Sequence, residues 1–156
     1  TGSEEVHLSE KLIDMHKHFD MVKYARTGGE ANAIAIRIAR AASGRDKVAI
    51  CGYHGWHDWY LSANLNNKDS NGVLKDHLLP GLSTVGVPDN LKNTVYPFKF
   101  NDYKALEKIC SQNKIGVIKM EIFRNIPPKN NFLEKVRKLS SKQTIILIFY
   151  EVISGI

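Results

Sequence analysis

Two periodicities alternate along this chain. From position 31 to 42 apolar residues recur three and four apart (Ala31, Ile34, Ala35, Ile38, Ala39, Ala42), which predicts a helix. The same spacing, more loosely kept, predicts helices over 4–18, from a cap at Asn101 or Asp102 through Leu106, Ile109 and Cys110, and over 132–141. Between them lie short continuous apolar runs at 21–25, 47–51, 94–98, 115–120 and 144–149, which predict buried strands, the third weakened by Pro97. Strand and helix alternate with no internal repeat, so the predicted fold is α/β: a mainly parallel sheet flanked by helices and joined by right-handed crossovers. Residues 64–93 are rich in Asn, Asp, Gly and Pro and read as one long loop, including Leu78-Leu79-Pro80-Gly81 and Gly86-Val87-Pro88.

The chain's 156 residues suffice for one ordinary domain core. The helical 4–18 segment has no element before it, and the chain stops just after its most apolar strand, so an internal piece of a larger protein is expected. The formal net charge of +6 comes from scattered lysines rather than a basic block, which gives nucleic-acid binding little support. Cys51 and Cys110 show no setting for a bridge, which suits a reducing compartment; the apolar runs are far too short to span a bilayer, and a cytoplasmic protein is expected.

The chemistry concentrates where elements meet. Thr27-Gly28-Gly29-Glu30 sits at the start of the 31–42 helix, where unpaired backbone N–H groups and the helix dipole favour an anion of phosphate type, and two glycines let it approach. The pattern is neither the dinucleotide fingerprint nor the P-loop, and a plain turn between packed elements accounts for it equally well. In parallel sheets function gathers at the C-terminal ends of the strands. Here those ends carry Thr27 to Glu30, Tyr53 with His54, Glu121, and Tyr150 with Glu151, so four strand ends point to one crevice. Tyr53 and His54 suit stacking on a flat heteroaromatic ring; Trp56, Trp59 and Tyr60 read as packing. Glu121 follows a buried run and needs a partner, while strand alternation turns Glu151 away from Tyr150. A zinc site from Cys51, His54, His57 and Asp58 lacks a second spaced pair, so no metal is expected, and His16 and His18 read as surface residues.

Taken in order, Val22 to Asn32, Gly44-Arg45-Asp46-Lys47, Tyr53-His54-Gly55-Trp56-His57-Asp58, Gly86-Val87-Pro88, Asn101-Asp102, Met120-Glu121 and Leu147 to Ile156 resemble the class III aminotransferases, pyridoxal-phosphate enzymes, and within them the glutamate-1-semialdehyde aminomutase-like branch. The resemblance implies that 1–156 is part of the large cofactor-binding domain of a fold type I transferase, with an N-terminal segment, a Schiff-base lysine region and a small C-terminal domain outside it. It implies pyridoxal 5′-phosphate held at Thr27, Gly28 and Gly29, stacked by Tyr53 beside His54, and flanked by Glu121, Tyr150 and Val152. It implies amino transfer between a small-molecule donor and an oxo acid or semialdehyde, in a homodimer.

Two departures stand out. Where the family has Asp, pairing with the pyridine nitrogen, this chain has Tyr150, and a phenol with a pKa near 10 supplies no negative charge at neutral pH. The Schiff-base lysine is expected beyond Ile156, so no catalytic residue is assigned here and this piece alone is expected to be inactive; a catalytically dead homologue serving as a binding or dimerisation partner is the alternative.

Overall fold

The computed structural model describes residues 2–65, 82–123, 125–152 and 154. In chain order the elements are α1 (Ser3–Met15), α2 (Gly28–Ser43), β1 (Lys47–Cys51), α3 (Asp58–Leu61), β2 (Val95–Pro97), α4 (Tyr103–Gln112), β3 (Ile115–Glu121), α5 (Phe132–Gln143) and β4 (Ile146–Tyr150). The four strands form one parallel sheet in the order β2-β1-β3-β4. This is the expected parallel α/β architecture. Leu78 to Gly81 lie outside the described residues.

Strand alternation splits the core in two. Val48, Ile50, Val117, Ile146 and Ile148 face α2, packing with Ile36 and Ala39, while Ala49, Cys51, Ile118, Met120 and Leu147 face α4 and α5, packing with Leu106, Phe132, Val136 and Leu139. Every residue of β3 is buried, as a central parallel strand covered on both faces must be. Pro97 is tolerated because β2 is the edge of the sheet and needs to pair on one side only; the ladder continues past it, Phe98 donating its N–H to the Ile50 carbonyl at 2.9 Å.

Local signals set the helix ends. Thr27 caps α2, its hydroxyl accepting from the Glu30 N–H at 3.1 Å, and Gly44 closes it at φ +64° with its N–H on the Arg40 carbonyl. Of the two candidate caps for α4, Asp102 does the work, accepting from the Ala105 N–H at 2.9 Å. Asn101 instead ties down the 127–129 loop, donating to the Pro127 carbonyl and accepting from the Lys129 N–H. Thr144 takes the left-handed C-cap of α5 at φ +54°, so β4 begins later than the apolar run suggested.

The expected strand at 21–25 does not form. Met21 is 87% exposed and the segment has no sheet neighbour; it is held instead by Tyr24, whose hydroxyl meets Ser9 Oγ at 2.9 Å and donates to the Glu5 carbonyl of α1 at 3.2 Å. An apolar run that short becomes a strand only when a neighbour offers it a ladder. Helix α1 ends at Met15, short of the expected 18, and buries none of its residues.

Candidate functional site

Helix α2 runs antiparallel to the strands, so its N-terminus lies at their C-terminal ends. In its first turn the Glu30 N–H goes to Thr27 Oγ1 and the Ala31 N–H to the Thr27 carbonyl, while Gly28 and Gly29 keep their N–H groups for an outside acceptor. Thr27 and Gly28 are exposed. An anion reaching this turn meets two free donors and the positive end of a 16-residue helix.

The other groups come in from the sheet. Past β1 the chain turns at Gly52, whose φ of +103° few side-chain-bearing residues adopt; a Cβ there would lie 2.7 Å from the Glu121 carboxyl, so the glycine leaves room for that acid. Tyr53 meets Tyr60 edge-on at 5.7 Å and stays part-exposed, whereas His54 is fully buried, with Nε2 3.0 Å from the Cys51 carbonyl. From β4, Tyr150 points across the crevice: its hydroxyl is 3.6 Å from where a Gly28 Cβ would be, it hydrogen-bonds Asn32, and its ring stands edge-on to His54 at 5.5 Å. Burial, with the Glu121 charge nearby, raises the Tyr150 phenol above its ordinary range, so it is protonated at neutral pH and donates.

Asn32 joins these parts. It is 4% exposed, donates to the His54 carbonyl at 3.2 Å and bonds Tyr150, tying α2 to both aromatic groups.

Sequence reasoning took Lys119 as one more residue of a buried strand. It is 1% exposed, and although it sits opposite Ile148 in the ladder, its amine lies 4.9 Å from the Tyr150 ring centroid, one same-face position nearer the strand ends. Burial lowers its pKa to about 8, with Glu121 opposing the shift. A Lys inside an all-buried strand was the available signal.

The family model for aminotransferase class-III matches residues 1–156. The chain belongs to the class III aminotransferase family. Among curated relatives it is similar to the glutamate-1-semialdehyde 2,1-aminomutase of Methanobrevibacter smithii, 36% identical over 97% of this chain and 35% of the relative. It is also similar to the 3-aminobutyryl-CoA aminotransferase of Cloacimonas acidaminovorans, 33% identical over 95% of this chain and 33% of the relative. Among solved structures it resembles an omega-transaminase from Sphaerobacter thermophilus (TM-score 0.79, 25% identity, 99% of this chain, 36% of that one) and a transaminase with PLP bound (TM-score 0.78, 25% identity, 98% of this chain, 36% of that one). This class III aminotransferase chain thus spans about a third of the length of the relatives it matches.

Thr27, Gly28, Gly29, Tyr53, His54, Glu121 and Tyr150 all lie around the crevice of this class III chain, though β strands supply three of its sides where four were expected, the fourth being the coil before α2. Val152 is 70% exposed just past β4, and Glu151 is exposed beside it. Trp59 and Tyr60 are core residues, but Trp56, expected to pack, is 73% exposed. Among the described residues no three His, Cys, Asp or Glu side chains gather as metal ligands.

Gly29, where the family often carries Ser or Thr, has a structural reason. A Cβ there would lie 2.8 Å from Cε1 of His57, which fills the space. Gly29→Ser is expected to cost about 1–2 kcal/mol of stability in urea unfolding, and His57→Ala in the same chain is expected to recover most of it.

Proposed function

We propose that the chain is part of the pyridoxal 5′-phosphate-binding large domain of an enzyme that transfers an amino group between a small-molecule donor and an oxo acid or semialdehyde, or within one molecule. The observation that carries this reading is the meeting of two free N–H groups at Gly28 and Gly29 with a part-exposed Tyr53 and the Tyr150 phenol around one crevice, in a chain of this family. The phosphate end fits the cofactor: Gly28 is exposed and Gly29 part-exposed, and neither has a Cβ to obstruct the donors. When bound, the cofactor draws electrons from the carbon that carries the amino group.

Each residue then has a task. Gly28 and Gly29 hold the phosphate, Thr27 fixes the turn by capping the helix, and Tyr53 covers one face of the ring. Asn32 holds the His54 turn and the Tyr150 phenol in place. Glu121 and Tyr150 face the far end of the ring, where Tyr150 offers a neutral donor, so a positively charged ring nitrogen is poorly supported. On this reading the lysine that bonds the cofactor covalently lies beyond Ile156, and the whole protein is a cytoplasmic homodimer whose partner surface includes the exposed Trp56. The Tyr150 phenol favours a second reading, a homologue that binds the cofactor without turnover.

The test is cofactor binding by equilibrium dialysis. The chain is expected to bind pyridoxal 5′-phosphate, inorganic phosphate to compete, and Tyr150→Asp to bind about tenfold tighter through a charge-assisted bond to the ring nitrogen. Absence of binding in both proteins overturns the reading; binding without turnover once a family-context lysine is restored supports the second one.

A further inference from the structure

Among the described residues Lys119 and Glu121 are the charged side chains buried in the core, and both project from β3 toward α2, one same-face step apart. A lysine at 1% exposure in the middle of a sheet gives up its hydration and is retained only where a neighbour repays that loss. Two neighbours offset part of it: the Tyr150 ring 4.9 Å from the amine, and Glu121, whose charge favours the ammonium. In the ladder Lys119 lies between Ile50 of β1 and Ile148 of β4, with Tyr150 one same-face step on; His54 meets the Tyr150 ring, Asn32 of α2 bonds the His54 carbonyl, and Arg26 and Glu30 lie outside at the exposed start of the helix. The crevice floor therefore carries one carboxylate and one ammonium. The acid that could serve as counter-ion to a cationic ring is already compensated.

We propose that Lys119 determines which ligands this crevice accepts: by neutralising Glu121 from behind the Tyr150 ring, it makes the site take a phosphorylated heteroaromatic whose ring is uncharged in preference to one whose ring nitrogen carries a positive charge. The inference rests on the phosphate-and-ring reading above and adds the charge state of the ring. Lys119 itself touches no part of the ligand; the Tyr150 ring lies between. Loss of the Lys119 proton above about pH 8 removes the ammonium's charge from beside Glu121, and the preference is expected to fade there.

The experiment compares two probes without an aldehyde, so that surface lysines do not react: pyridin-3-ylmethyl phosphate, neutral in its ring at pH 7, and its N-methylpyridinium analogue, a permanent cation. Calorimetric titration of the chain is expected to show the neutral probe binding about tenfold tighter, the order of a unit charge acting across a partly screened site. Lys119→Met is expected to abolish or invert that ratio, Lys119→Arg to keep it, and Glu121→Gln, which leaves the ammonium uncompensated, to widen it. The Glu121→Gln arm keeps the test decisive even where Lys119→Met does not fold. An unchanged ratio in the folded variants overturns the role of Lys119 and leaves the phosphate-and-ring reading standing. Failure of the wild-type chain to bind either probe overturns both.

Discussion

Replacing Gly116 by alanine is expected to cost about 3 kcal/mol or more, at the upper end of what overpacking a core position does. The added Cβ would stand 2.6 Å from the Arg45 Cβ, 2.6 Å from Ser43 Oγ and 2.9 Å from the Arg45 carbonyl oxygen. Two of these contacts belong to the body of the turn between α2 and β1 rather than to the end of a flexible chain, so the turn itself must move. That turn is a clamp: Arg45 donates to the Ile115 carbonyl at 3.0 Å and to the Gln143 carbonyl at 3.2 Å, joining α2 to the start of β3 and the end of α5. Pushing it outward breaks both bonds and leaves two part-buried carbonyls without the Arg45 donor. Urea unfolding should show the loss as a lower midpoint with an unchanged slope; a change below about 0.5 kcal/mol, the range of an ordinary surface substitution, would contradict this account of the clamp.

Stability is expected to rise by somewhat less than about 1 kcal/mol between pH 8 and pH 9, contrary to the usual decline toward alkaline pH, the lysine gain exceeding the Cys110 loss that begins in the same range. Burial lowers the Lys119 pKa from 10.5 to about 8, so above pH 8 the unfolded chain holds a proton that the folded chain has lost, and raising the pH favours folding. Cys110 acts with the opposite sign. Its buried thiol is pushed up from 9.0 to about 11, so from about pH 8 upward the unfolded thiol ionises while the folded one does not, and raising the pH favours unfolding. The two slopes then nearly cancel until the unfolded lysine also titrates, beyond which stability falls, helped by the raised phenols of Tyr103 and Tyr150. Thermal melts across this range should show the rise in the wild-type chain, its absence in Lys119→Met, and its extension toward higher pH in Cys110→Ala. A flat profile from pH 8 to 9 in the wild type would place the lysine in contact with water.

The elements most plainly written in the chain were those whose pattern needs no partner to interpret. The three-and-four spacing of α2, the apolar run of β3 interrupted only by Lys119 and a cap at Asn101 or Asp102 are local, and all three appear where the pattern put them, with Asp102 as the cap. Residues 21–25 have an equally apolar run but no ladder, and whether a neighbour exists is not a local property. The crevice was legible for the same reason as α2, since parallel strands and an antiparallel helix bring their ends together whatever the register. What escaped were contacts between distant segments: His57 against Gly29, Asn32 bridging to Tyr150, and Lys119 reaching past Ile148. Each depends on the order and register of strands, which no spacing in the sequence encodes.

The division of each strand between two faces bears on how such a chain can change over time. On β3, Ile118 and Met120 hold the apolar layer against α4 and α5, while the alternate residues Lys119 and Glu121 are the ones that meet the crevice. Across β4, Leu147 serves the first layer and Tyr150 the second. Inheritance can therefore rewrite one set of alternate positions while the other goes on specifying the same fold. Tyr150 in place of a carboxylate, and a lysine in a strand otherwise built of apolar residues, are the marks such separate drift would leave.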